Sequence, residues 1–237
     1  MRFCLLQARN ADDPARDEEL DCFAGRLGVP REAVRPVDML TATPSTDLWK
    51  SHDAVLVGGS GEYSVLDGHG AIGEWIDFLG RTARAGQPTF ASCFGFQMLT
   101  LALGGQVAHD EDNAEVGTFH VSLTEAGRAD PLFGQLPGAF WAQEGHKDRA
   151  TVLPPGVHHL ASTVRAPYQA IRVGDSPVYA TQFHPELDWQ DQRLRFMRYF
   201  EMYSGVFGVE DAHAMADEFK PTPESCSLLG RFRTLIS

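Results

Sequence analysis

Several features that mark broad protein classes are missing from this sequence. It has no run of Lys and Arg, and its formal net charge is −12. A chain that binds nucleic acid needs a basic face to meet the phosphates, so this balance argues against such a partner. No apolar stretch approaches the roughly 20 residues that cross a bilayer. The apolar run Phe3-Cys4-Leu5-Leu6 near the start is too short for a signal peptide. Cysteine is scarce: Cys4, Cys22, Cys93 and Cys226 make up all four. They form no Cys-x-x-Cys pair and no zinc-type spacing, so neither a metal site nor a disulfide framework is indicated. The expected setting is the reducing cytoplasm. Internal repeats, low-complexity segments and linker-like stretches are also lacking, and one domain is expected over residues 1–237.

What the chain does have is an alternation of strand and helix signals. Apolar runs at 3–6, 34–37, 53–57 and 89–92 read as strands. Between them, Leu20, Phe23, Ala24 and Leu27 recur at helical spacing ahead of Gly28, and Ile72, Trp75, Ile76 and Leu79 share one face of a helix over 71–85. A further helix over 96–103 ends at Gly104-Gly105. Such alternation predicts an α/β fold with an open, mostly parallel sheet and helices on both faces. Ligands of these sheets bind at the carboxyl ends of strands. The second half is richer in strands, at 116–124, 140–143, 160–164, 170–173 and 178–183, the last three forming an antiparallel meander. An amphipathic helix over 189–203, with Leu194, Met197 and Phe200 inward, is followed by a break at 205–208. Two more helices, divided at Pro221 and Pro223, complete an extension over 204–237 beyond a core of 1–203.

Three stretches carry candidate chemistry. Cys93 stands between the strand at 89–92 and the next helix, where a tight turn pushes the side chain out of the sheet. A lone cysteine is more often a core residue, but the positive end of a helix dipole favours a thiolate at such a turn. Gly58-Gly59-Ser60-Gly61 follows the strand at 53–57, as suits a loop whose backbone approaches a ligand. It lacks the Gly-Lys-Ser/Thr ending of a phosphate-binding loop. His184-Pro185-Glu186 leaves another strand end and offers a base with a carboxylate to orient it. Alone, His184 could be part of a polar turn. Together with Cys93 at the same edge of one sheet, it points to nucleophilic cysteine chemistry. The backbone N–H groups of Phe94 and Gly59 are then the candidate oxyanion donors.

Cys93-Phe94-Gly95-Phe96-Gln97 resembles the Cys-x-Gly-x-Gln elbow of class I glutamine amidotransferases, and Gln182-Phe183-His184-Pro185-Glu186 resembles their His-Pro-Glu element. The likeness runs from the first strand to about residue 203. It implies a doubly wound, flavodoxin-like fold and a Cys93–His184–Glu186 triad acting on the γ-amide of glutamine or a γ-glutamyl compound. It further implies that Gln97 meets the substrate's amino-acid end. The stretch Glu144-Gly145-His146-Lys147-Asp148 resembles the family's loop that holds the substrate α-carboxylate, which singles out His146, Lys147 and Asp148. No metal or organic cofactor is implied. The sequence has Gly-Gly-Ser-Gly where many members have Gly-Gly-Pro, and Ser92 where glycine is common. The released ammonia either goes to a separate synthase or is a product of free-standing hydrolysis. No stretch of these 237 residues reads as a synthetase domain. The same scaffold also resembles homoserine acyltransferases, and a binding module on the same fold is the non-enzymatic alternative.

Overall fold

The computed structural model describes residues 1–200 and 212–237. Its strands are β1 (Phe3–Ala8), β2 (Val34–Asp38), β3 (Ala54–Ser60), β4 (Thr89–Ser92), β5 (Gln106–His109), β6 (Glu115–Leu123), β7 (Ala139–His146), β8 (Asp148–Val152), β9 (Val157–Ser162), β10 (Ala170–Val173) and β11 (Val178–Thr181). The described helices are α1 (Ala15–Leu27), α2 (Asp47–Lys50), α3 (Gly70–Arg84), α4 (Phe94–Ala102), α5 (Glu125–Ala129), α6 (Trp189–Arg198), α7 (Ala212–Asp217), α8 (Pro223–Cys226) and α9 (Leu228–Leu235).

The main sheet has the order β2-β1-β3-β4-β11-β10-β9-β6-β7. The first five strands are parallel neighbours, in the doubly wound order with β11 as the fifth member. From β11 outward the pairing turns antiparallel, giving the expected strand-rich extension. Side chains that alternate along each strand feed two cores. On one face Phe3, Leu5, Leu56 and Phe90 pack with Leu20, Phe23 and Leu27 of α1 and with Leu228, Leu229 and Phe232 of α9. On the other face Leu6, Val55, Val57 and Ala91 meet Trp75, Phe78 and Leu79 of α3 and Phe96 and Leu99 of α4. Every side chain of β1 is buried because both of its faces are covered.

The C-terminal helix is part of that packing. Phe232 lies edge-on to Phe90 at 5.4 Å and to Tyr179 at 6.3 Å. Helix α6 starts on a capping box between Asp188 and Asp191. Its buried residues are Gln192, Arg195 and Phe196, while Leu194, expected inward, is 53% exposed. A polar residue and an arginine take the inner face because they line a polar cavity, described below. The break at 205–208 and the last residues of the helix expected over 189–203 lie outside the described residues. Two further expectations are corrected. Gly58 and Gly59 are not in a loop: β3 runs through them to Ser60. Glu144, Gly145 and His146 are the end of β7, and Asp148 begins β8, which pairs with β5 as a small antiparallel ribbon.

Candidate active site

Strands β4 and β11 are parallel neighbours in register, Ser92 opposite Thr181. The residues that follow each strand therefore emerge side by side. Cys93 has φ 50° and ψ −101°, and it is the one non-glycine residue with positive φ among those described. Its N–H donates to Thr181 O at 2.7 Å and its carbonyl accepts from Gln97 N–H at 3.1 Å, so the turn is held from both sides. A backbone forced into this region directs the side chain up from the sheet. Gly95 lets α4 start flush on β3, because a Cβ there would fall 2.7 Å from Val57 Cβ.

Beyond β11, His184 is anchored by its N–H to Gln143 O at 2.9 Å. Its Nδ1 lies 2.7 Å from Glu186 Oε1, and both side chains are buried. Burial alone would lower the pKa of His184, but the charges of Cys93 and Glu186, with hydrogen bonding to each, push it up to about 10. Burial acts against the Glu186 carboxylate as well, yet the neighbouring imidazole holds its pKa below the usual value. With Nδ1 on Glu186, the ring turns Nε2 toward the sulfur. Gly59 fits here for want of a side chain, since a Cβ would sit 2.9 Å from His184 Cε1. Neither Gly58 nor Gly59 takes a positive φ, so close approach rather than a left-handed turn explains both glycines.

A cavity of about 130 Å³ opens over the elbow, and Cys93, Phe94, Gln97, His146, Lys147 and Asp148 all line it. Gly59 does not line this cavity. Lys147 is half-buried at its wall. The donor end of Gln97 is already engaged: Nε2 donates to Asp148 O at 2.8 Å and to Gln182 Oε1 at 3.4 Å. Asp148 accepts from Ser64 Oγ, and its other oxygen lies 2.7 Å from His109 Nδ1. These two residues brace the corner between β7 and β8.

The structure adds residues that sequence reasoning passed over. Gln182 Nε2 points at Cys93 Sγ, 3.7 Å away; its place two residues before His184 was the available signal. Behind β3, Arg9 Nη2 pairs with Glu19 Oε1 at 2.9 Å, and Gln7 Nε2 donates to Glu19 Oε2 at 2.9 Å. Gly58 accommodates this buried pair, because a Cβ there would fall 2.5 Å from the Glu19 carboxyl group. Arg9 directly follows β1 at its carboxyl end, and Glu19 shares a helical face with Ala15 and Phe23, so both positions were open to the same reading. A second, smaller cavity on the far side of the imidazole is lined by Arg9, His184, Gln192, Arg195 and Tyr199.

A known family fits this arrangement. The model of glutamine amidotransferase class I matches residues 26–202. The chain belongs to that family. It is 28% identical over 162 residues to a subunit of the glutamine-hydrolyzing GMP synthase of Sulfurisphaera tokodaii, covering 68% of this chain and 82% of that protein. It is 33% identical over 140 residues to the glutamine-hydrolyzing GMP synthase of Lactobacillus delbrueckii subsp. bulgaricus, covering 59% of this chain but only 26% of that longer protein. The crystal structure of a glutamine amidotransferase from Thermotoga maritima superposes with a TM-score of 0.73 at 16% identity, covering 100% of this chain and 96% of that one, and shows the shared fold. No helix among the described residues is long and apolar enough to cross a membrane.

Proposed function

We propose that this class I glutamine amidotransferase hydrolyses the γ-amide of glutamine or of a γ-glutamyl compound through a thioester on Cys93. The observation that carries this reading is the meeting of Cys93, His184 and Glu186 at the ends of two paired parallel strands. In the proposed sequence the proton shared by Cys93 and His184 rests on His184 Nε2, in keeping with the raised pKa of the ring, and the sulfur attacks the amide carbon. The oxyanion that forms is held by the N–H groups of Phe94 and Gly59. Collapse breaks the C–N bond, and His184 returns its proton to the leaving amine. Water, losing a proton to the same nitrogen, then cleaves the thioester, and glutamate leaves with Cys93 as the thiol again. Glu186 fixes the imidazole's orientation and tautomer and stabilises its charge. Lys147 at the cavity wall suits the substrate carboxylate, with the His146 and Asp148 backbone beside it, while Gln97 supports that corner. The chain acts in this reading as one unit, which the packing of α9 onto the main sheet supports.

A second reading concerns the fate of the ammonia. Similarity to a protein named as one subunit of a GMP synthase favours a glutaminase that delivers ammonia to a separate synthase. The test compares free glutamine with γ-glutamyl dipeptides on the isolated protein. Turnover of the dipeptides without a partner identifies a free-standing hydrolase. Activity on glutamine only after a synthase is added identifies the ammonia-delivering glutaminase. Wild-type turnover by Cys93→Ala excludes both.

A further inference from the structure

Three buried side chains apart from the proposed triad converge where β6 meets β7. Glu115 opens β6 opposite His146, and Glu144 lies two residues before His146, on the same face of β7. His146 Nε2 is 3.1 Å from Glu115 Oε2 and 3.5 Å from Glu144 Oε2. One donor atom from each residue lies within 4.8 Å of the other two. Glu115 and Glu144 are 0% exposed and His146 3%. Buried polar groups normally satisfy one another. Here they do not: both oxygens of Glu144, Oε1 of Glu115 and Nδ1 of His146 have no hydrogen-bond partner. Gln169 donates Nε2 to Glu115 Oε2 at 2.7 Å, yet its own buried Oε1 is also unpartnered. Acceptors outnumber donors in a closed space. A proton on Glu144 would satisfy one acceptor at most, whereas a cation would engage several together.

We propose that Glu115, Glu144 and His146 bind a single divalent transition-metal ion of the zinc type. A tetrahedral metal about 2.0–2.2 Å from its ligands holds them about 3.3–3.6 Å apart. The two separations from His146, 3.1 and 3.5 Å, lie near that span, and the two carboxylates, within 4.8 Å of each other, would draw together around the ion. One imidazole with two carboxylates suits zinc, cobalt or manganese better than calcium or magnesium, which favour all-oxygen shells. The fourth position is open to water or to the amide oxygen of Gln169. Loading involves no redox step; any proton on Glu144 leaves as the metal enters. The ligands come from two strands that pair across the sheet, which is why cysteine and histidine spacing gave no sign of the site. His146 also walls the cavity over Cys93, so a bound ion would stiffen that wall. The proposal does not depend on the hydrolase reading.

The test strips the intact 237-residue chain with a chelator and titrates it with Zn²⁺ alone and Co²⁺ alone. One equivalent should bind by calorimetry, and Zn²⁺ should raise Tm in a way that chelator reverses. Glu144→Gln should weaken binding at least about a hundredfold, while Cys93→Ser should bind like the wild type. X-ray absorption at the metal edge of the wild-type complex should report nitrogen and oxygen donors without sulfur, an answer that stands even if a variant fails to fold. Absence of saturable binding, undiminished binding by folded Glu144→Gln, or a sulfur donor would overturn the proposal.

Discussion

Replacing Glu186 with glutamine probes the proposed chemistry with little change in shape. The side chain is fully buried, and its Oε1 is 2.7 Å from His184 Nδ1. Glutamine keeps the volume and removes the charge. The rise of His184 from 6.5 to about 10 corresponds to roughly 5 kcal/mol in favour of the protonated ring. Burial opposes that rise, and the charges at Cys93 and Glu186 outweigh it. Losing one of them pulls the imidazole's pKa down. The amide can also turn its NH₂ toward Nδ1, which places the ring proton on Nε2, facing the sulfur, where it cannot accept the thiol proton. We expect kcat/KM to fall by about 10²–10⁴. The alkaline limb set by loss of the His184 proton, near 10 in the wild type, should move to lower pH. Glutamate release coupled to glutamate dehydrogenase, followed across pH, reads both effects. A variant within about threefold of wild type, with an unmoved limb, would refute the assigned role of Glu186.

Three further outcomes follow from the packing. Gly59→Ala sets a Cβ 2.9 Å from His184 Cε1; the protein should fold, at a cost of about 1–3 kcal/mol in urea, yet lose about 10² in kcat/KM as the imidazole shifts. Glu144 has a pKa raised well above 4.5 by burial, by Glu115 and by Cys93. The folded chain therefore keeps a proton that the unfolded chain sheds above 4.5, and stability falls as pH rises from there toward the folded value. Glu144→Gln in chelator should accordingly have a higher Tm than wild type near about pH 8, with the difference vanishing below about pH 4.5. Phe232→Ala removes a buried ring from Phe90 and Tyr179 and should cost about 3–5 kcal/mol by urea denaturation, which would establish the C-terminal helix as part of the core.

The parallel half of the sheet was legible because each strand there is covered on both faces and reads as an apolar run, as in Ala54–Ser60 up to Val57. The placement of Cys93 and His184 side by side was legible because each follows the carboxyl end of an apolar strand, and β4 and β11 pair in parallel. The glycines read as a loop approaching a ligand, but Gly58 and Gly59 lie within β3, and only the positions of Glu19 and His184 reveal that they make room for side chains. Glu144 to Asp148 read as a loop beyond the strand at 140–143, because its charges are dense. Its His146 and Asp148 are buried through contacts with Glu115, Gln97, Ser64 and His109, residues distant in sequence that local periodicity does not register. Leu194 shows the same limit in reverse, since the amphipathic pattern of α6 could not anticipate that Gln192 and Arg195 would face a polar cavity.

The central claim is that one sulfur among four acts on a glutamine-like carbonyl. Treating the intact protein with a diazo-ketone analogue of glutamine and mapping the adduct by peptide mass spectrometry addresses it most directly. The account predicts one covalent adduct per chain, on Cys93, slowed by added glutamine and lost when His184 is replaced by alanine. An unmodified Cys93, or labelling spread evenly over Cys4, Cys22, Cys93 and Cys226, would contradict it.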